Sequence, residues 1–181
     1  MKQVFISGSI QIKQIDNKVR SRIDNILDQG YGIIVGDANG VDYAVQEYLK
    51  QKDAESVVVY CSGDQPRNNV GRWETRRVLT DNKQGTVAYY TAKDIKMADD
   101  CDYGLMVWNA ESTGTLSNVI RLLNRNKNSL VYMNNTQEFL TISNASNVYS
   151  LLKYMAPASF EKAEAKLNIT AKLRSLTDTH W

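Results

Sequence analysis

The chain has 181 residues, 43% of them hydrophobic and 23% charged. That is the make-up of a globular domain with one sizeable core, and it excludes a disordered or fibrous chain. Lys and Arg number 22 against 20 Asp and Glu, a formal net charge of +2. No overall basic field therefore calls for nucleic acid or an anionic membrane.

The amino-terminal run MKQVFISGSI goes straight into a strand pattern. Its apolar stretch is too short for a signal peptide or a membrane span. A cytoplasmic protein without a membrane partner is expected, with Cys61 and Cys101 as reduced thiols rather than a disulfide. Short apolar runs then alternate with stretches of helical period. Val4–Ser7 is the first expected strand. Ile15, Val19, Ile23 and Ile26 mark one face of a helix, which Gly30 closes. Tyr31–Val35 is the second strand and runs into VGDANGVDYA, a turn holding Gly36 and Gly40. The helix beyond it carries the stripe Val41, Ala44, Val45, Tyr48 and Leu49. Ser56–Tyr60 is a β-branched third strand.

Residues 61–82 hold Pro66 and RNNVGRW, and read as a loop followed by a short helix near Trp73–Leu79. Thr86–Tyr90 (TVAYY) reads as the fourth strand, Ala92–Asp100 as a short helix and Tyr103–Trp108 as the fifth strand. The turn Ser112–Thr115 (STGT) opens a helix that buries Leu116, Val119, Ile120 and Leu123. Ser129–Met133 is the sixth strand. Beyond Asn134 two helices are expected, Ser146–Met155 and one from Pro157 carrying Phe160, Ala163, Leu167 and Leu173. Strands alternating with crossover helices predict an α/β fold with a doubly wound, mainly parallel six-stranded sheet. Helices cover both of its faces, and a C-terminal helical extension follows.

Ligands of open parallel sheets bind outside the carboxyl ends of the strands. Five features fall there. Gly8 and Ser9 follow the first strand. Gly36, Asp37, Gly40 and Asp42 form the first glycine turn, where helix N–H groups and the helix dipole suit phosphate or carboxylate. Asp42 either accepts from a ribose hydroxyl or caps the helix. Arg67, in RNN, carries a fork that suits the same anions. Arg72, Arg76 and Arg77 read as a solvated basic face. Lys93 and Asp94 are a fourth candidate, as ligand contacts or as a surface ion pair, with Met97 assigned to the core. The fifth is Trp108, Ser112, Gly114, Thr115 and Asn118: a second anion-ready turn, with an indole placed either to stack on a base or to close the core edge.

Other chemistry lacks its parts. The one histidine, His180, adjoins Trp181, so no Ser/His/Asp or Cys/His machinery can be built in the sheet. No cluster has zinc-ligand spacing, and no G-K-[ST] holds a nucleoside triphosphate with magnesium.

VGDANGVDYA resembles the G-x-A-x-G-[ILV]-D-x-x-A turn of the SLOG superfamily, which includes DNA-processing protein A and the Lonely Guy proteins. KDIKMADDCDYGLMVWNAESTGTLSNVI is similar to a signature of small uncharacterised bacterial members: K-D-x-x-M, then D-Y-G-L-M, then S-x-G-T-x-x-N. The likeness spans about Lys2 to Met133. It implies a Rossmann-like domain over 1–133 with a nucleotide or nucleotide-sugar pocket at the two glycine turns. Residues 134–181 then form a helical extension packed on the body or at a subunit interface, and a homo-oligomer is expected.

Lonely Guy phosphoribohydrolases and nucleoside deoxyribosyltransferases carry a catalytic glutamate four residues after the glycine of their G-T turn. The matching position here is Asn118, which can hold a ribose hydroxyl but cannot act as nucleophile or base. The Lonely Guy turn also has glycines where this chain has Ser112 and Thr113. The leading expectation is therefore binding or sensing of a nucleotide-derived molecule, such as an ADP-ribose-like or cyclic-nucleotide ligand. An enzyme acting on N-glycosidic bonds comes second, with Glu111, Asp94 and Asp42 as replacement carboxylates. DNA binding through Arg67, Arg72, Arg76 and Arg77 is a distant third.

Overall fold

A computed structural model describes residues 1–178; the expected role of His180 as an isolated histidine lies outside them. The chain runs β1 (Gln3–Gly8), α1 (Asn17–Asp28), β2 (Gly32–Gly36), α2 (Val41–Gln51), β3 (Val57–Ser62), β4 (Glu74–Val78) and α3 (Val87–Asp100). It continues β5 (Tyr103–Trp108), α4 (Thr113–Leu123), β6 (Ser129–Met133), β7 (Glu138–Ile142), α5 (Ala145–Leu152), α6 (Pro157–Leu167) and α7 (Ile169–Thr177). The sheet has seven strands in the order β4-β3-β2-β1-β5-β6-β7. All neighbours are parallel except β6 and β7. The doubly wound α/β expectation therefore holds, with one strand more than the sequence indicated.

Alternation along the strands builds two cores. Val4, Ile6, Ile33, Val35, Val57 and Val59 face α1 and α2, where Val19, Ile23, Val45 and Leu49 complete one cluster. Phe5, Ile34, Tyr60, Met106 and Val131 turn the other way, onto Met97 and Ala98 of α3 and Leu116, Val119 and Leu122 of α4. Val148, Leu151, Ala163, Ile169 and Leu173 of α5, α6 and α7 belong to this second cluster. No helix among the described residues is long and apolar enough to cross a membrane. Cys61 and Cys101 are buried and unbridged.

Three local expectations are corrected. Thr86–Tyr90 is not a strand: Thr86 caps α3 by accepting from the Tyr89 N–H, and the helix runs from Val87. The β-branched and aromatic run misled because its Val87 is 82% exposed, so the helix packing of Met97 and Ala98 overrides local propensity. The short helix near Trp73–Leu79 is instead β4, whose Glu74, Arg76 and Arg77 are exposed on the sheet edge; charged edges of this kind deter pairing with other chains. The helix from Pro157 breaks at Asn168, which sits in the left-handed region at φ 51°. An asparagine tolerates that conformation, and the break turns Ile169 and Leu173 of α7 into the core.

Topology places the site. From β1 the chain steps outward through β2, β3 and β4, then returns by α3 to β5 on the other side of β1. The loops after β1 and β5 therefore part company, one leading to α1 and the other to α4. Between those strands lies the switch point where ligands of open sheets bind.

Candidate functional site at the carboxyl edge of the sheet

A groove of about 340 Å³ opens at this switch point, between Ser9–Gln11 on one side and Ser112–Gly114 on the other. Lys162 of α6 and Glu111 also line it. Asn109 ties the two loops together. It receives the Ser9 hydroxyl on Oδ1 at 3.2 Å, and its own N–H donates to Ser9 Oγ at 3.2 Å. The same Oδ1 accepts the N–H groups of Glu111 and Ser112, which shapes the turn into α4. Ser112 then caps α4 by accepting the Thr115 N–H, one of the donors that lack a partner inside a helix. Thr113 and Gly114 stand on the groove wall. A side chain added at Gly114 would meet nothing within 4 Å, so this first turn is open.

Trp108 is 1% exposed and belongs to the core. It cannot stack on a base. Its Nε1 donates to the Ser112 carbonyl at 3.0 Å, so the indole holds the turn from beneath. Thr115 in the same turn and Asn118 one turn further on are buried. The Ser112 and Thr115 hydroxyls lie 3.1 Å apart, and Asn118 Oδ1 accepts from Arg121.

The first glycine turn is more closed. Gly40 has φ 77°, and the backbone of Ile10 occupies the space a side chain would need. Only glycine meets both demands. The Val41 N–H donates to the Ser9 carbonyl at 3.3 Å, so the loop after β1 is strapped across the start of α2. Gly8 packs under Val41 in the same strap.

Asp37 is occupied in a clamp. Its carboxylate accepts the Arg67 backbone N–H at 2.9 Å, Arg67 Nε at 3.2 Å and Arg67 Nη2 at 2.8 Å. The Arg67 guanidinium lies 4.4 Å over the Tyr90 ring. Burial works against its charge, but Asp37 holds the group above its ordinary value. Most of the arginine fork is thus committed to the fold. Gln46 completes the frame. Its Nε2 donates to the Gly36 and Asn68 carbonyls, and its Oε1 accepts the Val70 N–H, so the loop after β3 is tied to the end of β2.

Beneath this frame lies a buried charged group. The notch left by the missing side chain of Gly36 is filled: a methyl there would run into Asp42 Oδ2 and stand 2.9 Å from Lys93 Nζ. Asp42 reaches the notch from α2 and Lys93 from α3; they are 4% and 5% exposed. Asp42 Oδ2 accepts the Ala38 N–H at 3.2 Å, while Oδ1 is buried with no partner. Burial pushes the Asp42 carboxyl up to about 7, with Lys93 opposing. Lys93 donates to Asp94 at 2.8 Å. Burial works to lower the Lys93 ammonium, yet Asp94 and Asp42 together hold it above its ordinary value. The pair is not a surface one, because a buried cation needs its carboxylates.

The expected residues therefore fall into three adjoining sets. Ser9, Ser112 and Gly114 line the groove, with Glu111 exposed on its wall. Gly36, Asp42, Lys93 and Asp94 form the buried group, and Gly8, Gly40, Asp37, Arg67 and Trp108 hold the frame. Asn109, Gln46, Tyr90, Arg121 and Lys162 were not foreseen. Gln46 alone had a signal, since it lies one turn after Asp42 on the same helix face. A separate slot of about 310 Å³ sits at the opposite edge of the sheet, walled by Tyr31, Tyr103 and Leu130. It is far from the glycine turns and near the amino ends of the strands. No protein-family model matches the chain, and no curated protein or solved structure is similar enough to it to count as a match.

Proposed function

We propose that the chain binds or senses a nucleotide-derived small molecule, with its phosphate at the first turn of α4. The observation that carries this reading is the groove at the β1/β5 switch point, walled by a helix start with open space at Gly114. The N–H groups and dipole of that turn attract an anion, and Lys162 adds a cation to the groove lining. The likeness of VGDANGVDYA and STGTLSN to the SLOG turns points to the same ligand class. A DNA-binding role draws less support, because Arg67 is paired with Asp37 and Arg76 with Glu74 and Asp100.

Thermal shift with AMP, ADP, ADP-ribose and cyclic nucleotides tests this. A ligand at a hundred times its Kd stabilises by about 2.7 kcal/mol, a rise in Tm of roughly 5–10 °C for a chain of this size. Gly114→Asp places a carboxylate on the open wall and is expected to abolish that rise while leaving the ligand-free Tm within a few degrees. A panel in which no nucleotide shifts the wild type, or in which the variant responds like it, overturns the proposal.

A further inference from the structure

We infer that the slot at the amino ends of the strands is a second ligand site, which takes a small aromatic carboxylate. The flat ring lies on its apolar floor and the acid group meets Arg22. The site lies at the other end of the strands from the nucleotide groove and does not depend on it.

Room for the ring follows from how the helices are shared between the two faces. The core on one face draws on α3, α4, α5, α6 and α7, which leaves α1 and α2 for the other. A helix is about 10 Å wide and neighbouring strands stand about 4.8 Å apart, so each helix covers roughly two strands. Two helices cannot cover the seven strands of this sheet. The uncovered part falls beyond α1, where Tyr103 of β5, Leu130 of β6 and Phe139 of β7 stay half-buried. There the surface hollows into an open slot of about 310 Å³, floored by Val4, Leu105 and Leu130 and flanked by Ile26 of α1. That volume is at the lower end of the range for small-molecule sites.

Two features select the ligand. The first is charge. Arg22 is the one charged residue on the lining, and no Asp or Glu stands there. Among the described residues its guanidinium has no hydrogen bond or ion pair; it lies 5.8 Å over the Phe139 ring. Arg67, Arg76 and Arg125, by contrast, are each paired with a carboxylate. The free planar fork of Arg22 matches a carboxylate in shape and charge. The second is the wall at the mouth. The rings of Tyr31 and Tyr103 lie 6.4 Å apart and within 18° of parallel. Lys2 Nζ donates to the Tyr103 hydroxyl at 2.8 Å, which holds that ring in place. A flat ring entering the slot meets aromatic faces on one side and aliphatic groups beneath, and aromatic contact adds to what burial alone gives.

Ligand-observed NMR titration with benzoate, benzamide and cyclohexanecarboxylate tests the site on the wild-type protein. Benzoate is expected to bind with a Kd of roughly 0.1–1 mM, in line with the small number of its atoms. Benzamide keeps the ring and loses the charge, and is expected to bind about 10-fold more weakly. Cyclohexanecarboxylate keeps the charge and loses the flat ring, and is expected to bind about 3- to 10-fold more weakly. Arg22 is exposed, so Arg22→Gln folds as the wild type does. That variant is expected to bind benzoate and benzamide within about two-fold of each other. No binding of benzoate up to 10-fold above that Kd range overturns the site. Equal binding of benzoate and benzamide by the wild type, or an unchanged preference in Arg22→Gln, overturns the role of Arg22 and the proposal with it. Cyclohexanecarboxylate bound as tightly as benzoate overturns the choice of an aromatic ligand.

Discussion

Lys93→Met is expected to lower stability by about 3–5 kcal/mol at pH 8, the usual cost of removing one partner from a buried charge group, and by much less at pH 5. Lys93 is the cation that opposes the burial of Asp42, and it also holds Asp94. Methionine fills a similar volume, so packing changes little. The effect is electrostatic, and its pH dependence follows from Asp42. The folded carboxyl lies at about 7 against an ordinary 3.8. A raised carboxyl costs nothing below the unfolded value, costs progressively more between the two values, and its full cost is present above the folded one. Without Lys93 that cost deepens on the alkaline side. At pH 5 Asp42 is already protonated in the folded chain and needs no cation. Urea unfolding at the two pH values measures the difference. An equal loss at both, or none at pH 8, contradicts the assignment of Asp42 and Lys93 to one buried group.

Trp108→Ala has the second large effect, about 3–5 kcal/mol from the cavity alone. The indole is among the largest fully buried side chains and touches the core that α3, α4 and α5 share. Its removal also takes away the donor to the Ser112 carbonyl, so the turn at the groove loosens. For a chain of this size that is a fall in Tm of roughly 6–20 °C. Trp108→Phe keeps most of the volume and loses the hydrogen bond, and is expected to cost about 1–2 kcal/mol. Calorimetry of the two variants separates packing from the bond. A Trp108→Ala variant as stable as the wild type would mean that the ring is a surface platform after all.

The central strands were legible because they are buried on both faces. SVVVY and YGLMVW are continuous apolar runs, and only a covered parallel sheet uses such runs. The two glycine turns were legible for a related reason, since each follows one of those strands. The edges were not. β4 and β7 are held by pairing with β3 and β6 rather than by apolar pattern, and β4 carries three exposed charged residues. α3 was half lost because TVAYY has strand composition, and only the Thr86 cap and the packing further along declare a helix.

The site shows the same division. A sequence displays Asp37, Arg67, Asp42 and Lys93 as charges without saying which meet. Arg67 turns inward to Asp37 instead of outward to a ligand, while Lys93, which composition would put on the surface, is buried beside Asp42. Asn109, the residue that stitches the two loops, lies beside Trp108 with no pattern around it, and its role follows from strand order alone. Three acidic residues had been candidates for chemistry. Glu111 is exposed and Asp94 is bonded to Lys93. Asp42 alone of the three combines burial with a carboxylate oxygen that has no partner.

A crystal of the protein soaked in AMP tests the central claim most directly. The account predicts density in the groove between Ser9 and Gly114, with the phosphate within about 3 Å of first-turn N–H groups of α4. AMP bound instead in the slot between Tyr31 and Tyr103, at the other edge of the sheet, would contradict it, and so would a soaked crystal whose groove holds no nucleotide.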